Sequence, residues 1–398
     1  MFTASTASAQ ATPPAADVPP PPPPAPAEPI VAPPPAPAPE GTPPSAVANE
    51  AKPPTAAEAM PATRPEVLPP IDVGAWIRAG GIFQGSDPSK LNDWHMDHAY
   101  VELHTGGRIH KKVGVTLNLN ADMINFNPPG SDAMTEGGSY VAVEDAIISF
   151  DLMDEFHIWG GHLLVTVDRA NSSGPFFMIP WNYPGFSASP KEGPAGRNNG
   201  AVVWGDIAGG KLTYFAGAYD NANIGTSPLF SGRVRLALLE PETGFWGNCS
   251  YFGDKDVLSF DVGGQFQKHG SATAAGDKDW GEVNVGGLFE KKIPGGGWVT
   301  GEGAYYHFNV QDLAVSNSFY LLGAYASPEV GGGHVQPMVR FQFQDVKGSG
   351  TNPWNVDGAV AYLIKGPALR VIGTYSHTKI ADGVSANSIQ IGAQAIFF

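Results

Sequence analysis

The feature that most limits what this chain can fold into is a two-residue alternation of apolar and hydrophilic side chains, repeated in long runs from residue 71 onward. In the run from Val113 to Asp122, the residues Val113, Val115, Leu117, Leu119 and Ala121 share one side, and Thr116, Asn118, Asn120 and Asp122 share the other. Only an extended strand, whose successive side chains point to opposite faces, sorts them in this way. The same split sets Leu258, Phe260, Val262 and Phe266 against Ser259, Asp261, Gln265 and Gln267. It recurs with Val339, Phe341 and Phe343 against Arg340, Gln342 and Gln344, and with Leu369, Val371 and Tyr375 against Arg370, Thr374 and Ser376.

A soluble sandwich of two sheets would also alternate, so strand length has to discriminate. Sixteen stretches can be drawn, from 73–84 to 387–398, many of them ten residues or longer. Strands in soluble domains usually run about five or six residues, whereas a tilted strand needs about 9–11 to cross a bilayer. There is no run of eighteen apolar residues that could cross as a helix. The expectation is an all-β fold: a transmembrane antiparallel β-barrel of about 16 strands (14 to 18 given the uncertain joins), with even strand number and no open edge. Aromatic residues near strand ends, among them Trp76, Trp94, Trp159, Trp204, Trp280, Trp298 and Trp354, fit interfacial girdles. Tight Gly-rich turns contrast with two long connections, Asp168 to Asn199 and Glu240 to Asp256, which predicts short turns on one rim and long loops on the other.

The first seventy residues are of another kind. They hold 23 of the 38 prolines and almost no aromatic residue, so they cannot build a core. Residues 12–70 read as a disordered, extended periplasmic segment, either a spacer or docking segment or a leader without a partner. Residues 1–11 end in Ala9-Gln10-Ala11 and read either as the remnant of a secretory signal or as more of the same alanine-rich chain.

The formal net charge is −15, the opposite of what a nucleic-acid binder shows. The single cysteine, Cys249, excludes an intrachain disulfide and a cysteine-rich metal site. The cluster Asp93-Trp94-His95-Met96-Asp97-His98 places His98 on the face opposite Asp93, His95 and Asp97, so no metal ligand set is expected there. Phosphate-loop, HExxH and GxSxG patterns are absent, and neither cofactor nor catalysis is expected.

Taking the apolar side as facing lipid leaves a hydrophilic interior, where hydration is cheaper than burial in a dry core. The pore-lining candidates are Glu102, Asn118, Asn120, Asp122, Arg233, Arg235, Asp261, Glu282, Arg340 and Arg370. Arginines facing Glu102 and Asp122 would set up a transverse field, or they would merely hydrate a wide lumen. The connection 168–199 carries Arg169, Phe176, Phe177, Trp181, Lys191 and Arg197, stiffened by five prolines. So aromatic a loop is the candidate constriction, folded into the pore rather than packed outside it.

From Val101-Glu102-Leu103, the Val113 to Asp122 run, Gly160-Gly161-His162-Leu163 leading into Asp168-Arg169, and the ending SIQIGAQAIFF, the region 71–398 resembles the phosphate-selective porins O and P and related Gram-negative outer-membrane porins. The resemblance implies a sixteen-stranded barrel in outer-membrane lipid and lipopolysaccharide, a homotrimer, and passive diffusion of ions and small hydrophilic solutes. The family's lysine-rich phosphate site has no match here. The terminal Phe398 resembles an assembly signal, but it falls off the face of Ile389, Ile391 and Phe397, which predicts a terminal bulge or an altered terminal register. The alternative function is a structural barrel, anchoring the outer membrane through residues 12–70 to a periplasmic or peptidoglycan-associated partner.

Overall fold

The computed structural model describes residues 71–85, 91, 93–122, 140–185, 196–220, 227–273, 276–309, 315–347 and 352–397. Residues 1–70, Lys191 and Phe398 lie outside the described residues, as do the side chains of Asp93, His95, Asp97, His98 and Asp122.

Sixteen strands run in chain order: β1 (Asp72–Gly85), β2 (Asp93–His110), β3 (Val113–Asp122), β4 (Tyr140–Met153), β5 (Phe156–Leu164), β6 (Arg197–Ile207), β7 (Leu212–Asp220) and β8 (Leu229–Ala237), then β9 (Val257–Thr273), β10 (Gly276–Ile293), β11 (Gly297–Phe308), β12 (Val315–Ala326), β13 (His334–Val346), β14 (Trp354–Lys365), β15 (Leu369–Ala381) and β16 (Val384–Phe397). Each pairs antiparallel with its chain neighbours, and β1 closes on β16, so the sheet is a barrel with no edge. The seam keeps one register from Gly85 opposite Asn387 to Ala75 opposite Phe397, and the bulge or altered register expected at Phe398 lies outside the described residues.

The alternation read from sequence decides which way each strand faces. Apolar side chains stand exposed on the outer surface of strand after strand, as with Ile77, Leu117, Ile148, Phe230, Val262, Val285, Leu321, Val339, Val360, Val371 and Ile391. A belt of this kind around the whole barrel far exceeds the apolar patches that soluble monomers tolerate, and it matches a surface solvated by lipid. The expected aromatic girdle is corrected in part. Trp94 and Trp354 do face outward, but Trp76, Trp159, Trp204, Trp280 and Trp298 share the inward face of their strands. Position near a strand end carried the expectation, whereas strand parity decides the face.

The rims are also corrected. Connections alternate between the two ends of a barrel, so the one after β5 and the one after β8 leave from opposite rims. The start of β1, the end of β16 and the short turns 111–112, 154–155, 208–211, 294–296 and 366–368 share one rim, termed here the terminal rim. The long connection 238–256 belongs to that rim and 165–196 to the far rim.

Candidate functional site

Over residues 165–185 and 238–256 both long connections turn into the barrel. After Leu164 the chain leaves the β5 track and crosses the inner surfaces of the following strands. Ser231 of β8 donates to Thr166 O at 2.7 Å, and Asn284 of β10 donates to Val167 O at 3.2 Å. Between them Gly263 of β9 leaves no room for a side chain, because a Cβ there would lie 1.9 Å from Val167 O. Asp168 accepts from Asn171 N at 2.7 Å and so caps a short helix α1 (Arg169–Ser173), while its other oxygen accepts from Tyr306 Oη of β11 at 2.7 Å. A single 3-10 turn (Pro175–Phe177) follows, begun by the proline.

From there the segment reaches the opposite wall. Gln394 of β16 donates to Phe176 O at 3.0 Å, and Arg370 of β15 donates to Met178 O and Ile179 O at 2.6 and 3.0 Å. Arg78 of β1 donates to Trp181 O, and Arg340 of β13 to Asn182 O at 2.8 Å. The Trp181 indole lies against Gly80 and Gly392, two residues paired across the β1–β16 seam. The segment is therefore strung across the interior from β8–β11 to β13–β16 and β1, held by side-chain donors on backbone carbonyls.

The terminal-rim insert, 238–256, rises to meet it. Gly247 N donates to Ser172 O at 3.1 Å, and Cys249 N to Ser173 Oγ at 3.0 Å. Arg169 is the hub between the two inserts. It forks onto Glu242 at 2.7 and 3.0 Å and onto Asp261 of β9 at 2.7 and 2.9 Å, and it also donates to Asn248 O. Arg233 takes the other oxygen of Asp261 at 2.6 Å, and Arg235 donates to Glu242 O at 2.7 Å. Burial pushes the Glu242 carboxyl up, but the Arg169 charge and hydrogen bonds, helped by Arg235, outweigh this and hold it well below the usual carboxylate range. Burial lifts the Cys249 thiol well above its ordinary value, next to Glu302.

Apolar packing seals the same region. Leu163, Trp204, Phe215, Tyr219, Trp280 and Tyr306 form one buried cluster with Phe245 of the terminal-rim insert. Ile179 and Trp181 join Phe252, Trp298, Leu322 and Met338 in a second. At about 25 cal/mol per Å² of apolar surface removed from water, such clusters stabilise the inserts against the wall.

Among the residues singled out from sequence, Arg233, Arg235, Asp261, Glu282, Arg340 and Arg370 thus face inward but lie buried beneath or beside the inserts. Arg340 is paired with Asp357 at 2.8 Å, and Glu282 accepts from Asn284 at 2.8 Å. Arg169, Phe176 and Trp181 belong to the far-rim insert and are buried within the barrel, and Phe177 is half-buried beside Trp76. The wall of β2 to β5 is different. There Tyr100, His104, Thr116 and Trp159 stay partly exposed on the inward face, around Glu102, Asn118 and Asn120. At its terminal-rim end a cavity of about 550 Å³ is lined by Asp72, Arg108, Thr116, Ser149, Asp151 and Trp159. Arg197, at the start of β6, faces this wall and pairs with Glu144 at 3.0 Å and Asp145 at 3.3 Å.

Sequence reasoning missed Glu144, Asp145 and Glu242. Neighbours in a strand normally face opposite ways, yet a register shift opposite Asn118 and Leu119 turns both Glu144 and Asp145 inward. Glu242 lies in a connection with no periodicity to read; the signal for it was only that this connection is long.

No protein-family model matches the chain, and no curated protein sequence matches it. Solved structures do. The barrel is similar to OprB of Pseudomonas putida (TM-score 0.57, 9% identity, 82% of this chain and 94% of that one). It is also similar to an anion-selective porin from Comamonas acidovorans (TM-score 0.54, 13% identity, 82% and 99%). A third is the outer membrane protein OmpT of Vibrio cholerae in a trimer form (TM-score 0.51, 10% identity, 83% and 100%). At such identities the likeness is one of fold. It runs across diverse Gram-negative outer-membrane porins and does not single out the phosphate-selective O and P family.

Proposed function

We propose that this chain is an outer-membrane channel that passes ions and small hydrophilic solutes by diffusion along the β2–β5 side of a barrel otherwise filled by its two inserts. The observation that carries the reading is the closed sixteen-strand barrel whose outer face is an apolar belt and whose inner face is polar and, on that side, still partly accessible. The fold shared with outer-membrane porins supports a general diffusion role in the same membrane.

The inserts set the scale of the passage. A barrel of sixteen strands is wide enough for an aqueous channel, but here residues of 165–185 and 240–256 pack against the wall from within in two buried clusters. Solutes are therefore confined to a narrow lane that opens at the cavity around Asp151 and Thr116 and runs past His104 and Tyr100. The belt would contact lipid and lipopolysaccharide, and three copies would associate through it as the resemblance implies.

The test is conductance of the purified full chain in planar bilayers. Discrete, small, ohmic steps are expected, together with a trimer-sized species on cross-linking in detergent. A folded barrel that passes no current would overturn the channel reading. Tethering through residues 12–70 rests on their composition alone, and removing them should leave the steps unchanged.

A further inference from the structure

On the lane side of the barrel the described fixed charges do not balance. Glu102 of β2 and Glu144 and Asp145 of β4 face the interior together, and each is more than nine-tenths buried. Tyr100 donates to Glu102 at 2.6 Å, His104 shares its other oxygen at 2.8 Å, and Asn118 donates to Asp145 at 2.8 Å. Arg197 is the one described arginine that reaches them, at 3.0 Å from Glu144 and 3.3 Å from Asp145, and its guanidinium lies 5.9 Å from the Trp246 ring. His104 adds a charge only when protonated.

Three carboxylates therefore share one permanent described cation. The shortfall shows at Glu144, whose Oε2 is buried and has no hydrogen-bond partner, with Arg197 at its other oxygen and Glu102 and Asp145 as the remaining charged neighbours. Leaving a buried carboxylate oxygen without a partner is costly unless a cation or a donor comes to it. The arginines of the opposite arc cannot supply one, because Arg233 is held by Asp261, Arg340 by Asp357, and Arg370 by the carbonyls of residues 178 and 179.

We propose that Glu102, Glu144 and Asp145 form a subsite for small monovalent cations, of the alkali, ammonium or guanidinium class, that makes the lane cation-selective. The inference rests on the channel reading above and deepens it. Arg197 is a built-in example of the occupant: a guanidinium seated between two carboxylates, close to an aromatic ring. The carboxylates are spread along the wall and do not converge as a chelating set. Among the described residues no group of three or more His, Cys, Asp or Glu side chains is arranged to hold a metal ion, so the fit is to a loosely held cation that can leave again.

Reversal potentials of the full chain, in planar bilayers under a gradient of about tenfold in KCl, test this. Potassium is expected to be favoured several-fold over chloride. The near-isosteric Glu144→Gln should lower that ratio, and the triple variant Glu102→Gln, Glu144→Gln, Asp145→Asn should bring it close to unity or invert it. Glu329→Gln, on an exposed turn of the terminal rim, should leave it unchanged. Heat-modifiable gel mobility shows that each variant has folded, and guanidinium chloride in place of KCl should sustain a cation current that falls in the same order. Wild-type currents favouring chloride, or a ratio that Glu144→Gln and the triple variant do not move, would overturn the subsite while leaving the channel. No current at all would overturn the channel reading and this inference with it.

Discussion

The inner surface of the barrel consists of two arcs built from similar residues and used differently. From β7 round to β16 and β1 the inserts cover the wall, and Arg169, Arg233, Arg340 and Arg370 are matched to carboxylates or to backbone carbonyls among Trp181, Trp204, Phe245 and Trp298. From β2 to β5, Glu102, Glu144 and Asp145 are reached by Arg197 alone among the described arginines, and Glu144 Oε2 has no hydrogen-bond partner. The difference is one of pairing. Where an arginine meets a carboxylate or a backbone carbonyl the contact becomes a structural clamp, whereas buried carboxylates that outnumber the cations reaching them can act on a cation that passes.

The contrast breaks first at its hub. Arg169→Ala leaves Glu242 and Asp261 buried with reduced compensation, a loss of about 3–5 kcal/mol for such a pair, so the junction of the inserts should open. Labelling of Cys249, fully buried at that junction, by a thiol reagent should then accelerate more than about a hundredfold, at about 1.4 kcal/mol per tenfold. An unchanged labelling rate would mean that the ion pairs do not hold the inserts together.

A smaller effect is expected from Gly263→Ala. The added methyl would meet Val167 O, a backbone atom that cannot rotate away, and overpacking of this kind costs about 1–3 kcal/mol. Single-channel steps should become larger or noisier as the start of the insert is displaced. Gly323→Ala, on the outer face of β12 with open space around the new methyl, should leave them alone.

Acid sharpens the same contrast. Because Glu242 is held below its ordinary value near 4.5, its contribution is fully present above that pH and is lost as pH falls through its lowered value. Measured relative to a free thiol at each pH, labelling of Cys249 by a pyridyl disulfide should therefore stay slow at pH 5 to 7 and speed up only well below about 4.5. A relative rate that rises from pH 5 to 7 would contradict the assigned role of Glu242. The smallest effect belongs to the belt: Val285→Leu, already exposed on the outer face, should shift unfolding in detergent by no more than about 0.5 kcal/mol.

The barrel was legible because its signal is periodic. One apolar face per strand, repeated along the chain, gives the strand number to within two and the direction of most side chains, and β1 falls within a residue of the 73–84 where the alternation puts it. The inserts were legible only as long, aromatic and proline-stiffened connections. Their partners are non-local: nothing near Arg370 in the chain announces Met178, and nothing near Arg169 announces Asp261. Inward direction was thus readable for Arg233, Arg340 and Arg370, but whether each met water or an insert was not. The paired inward carboxylates Glu144 and Asp145 stayed hidden because a register shift breaks the very rule that exposed the rest.

The indole of Trp181 rests on Gly80 and Gly392, the two glycines that face each other where the first and last strands join. Every other neighbouring pair of strands is a hairpin, whereas this joint unites the ends of the barrel and carries the largest loop-closure entropy. Arg78 and Gln394, also paired across it, both reach the same stretch of backbone between residues 176 and 181. The far-rim insert is thus a clasp fastened from within across the line of closure, and the segment that narrows the passage also ties shut the cylinder that contains it.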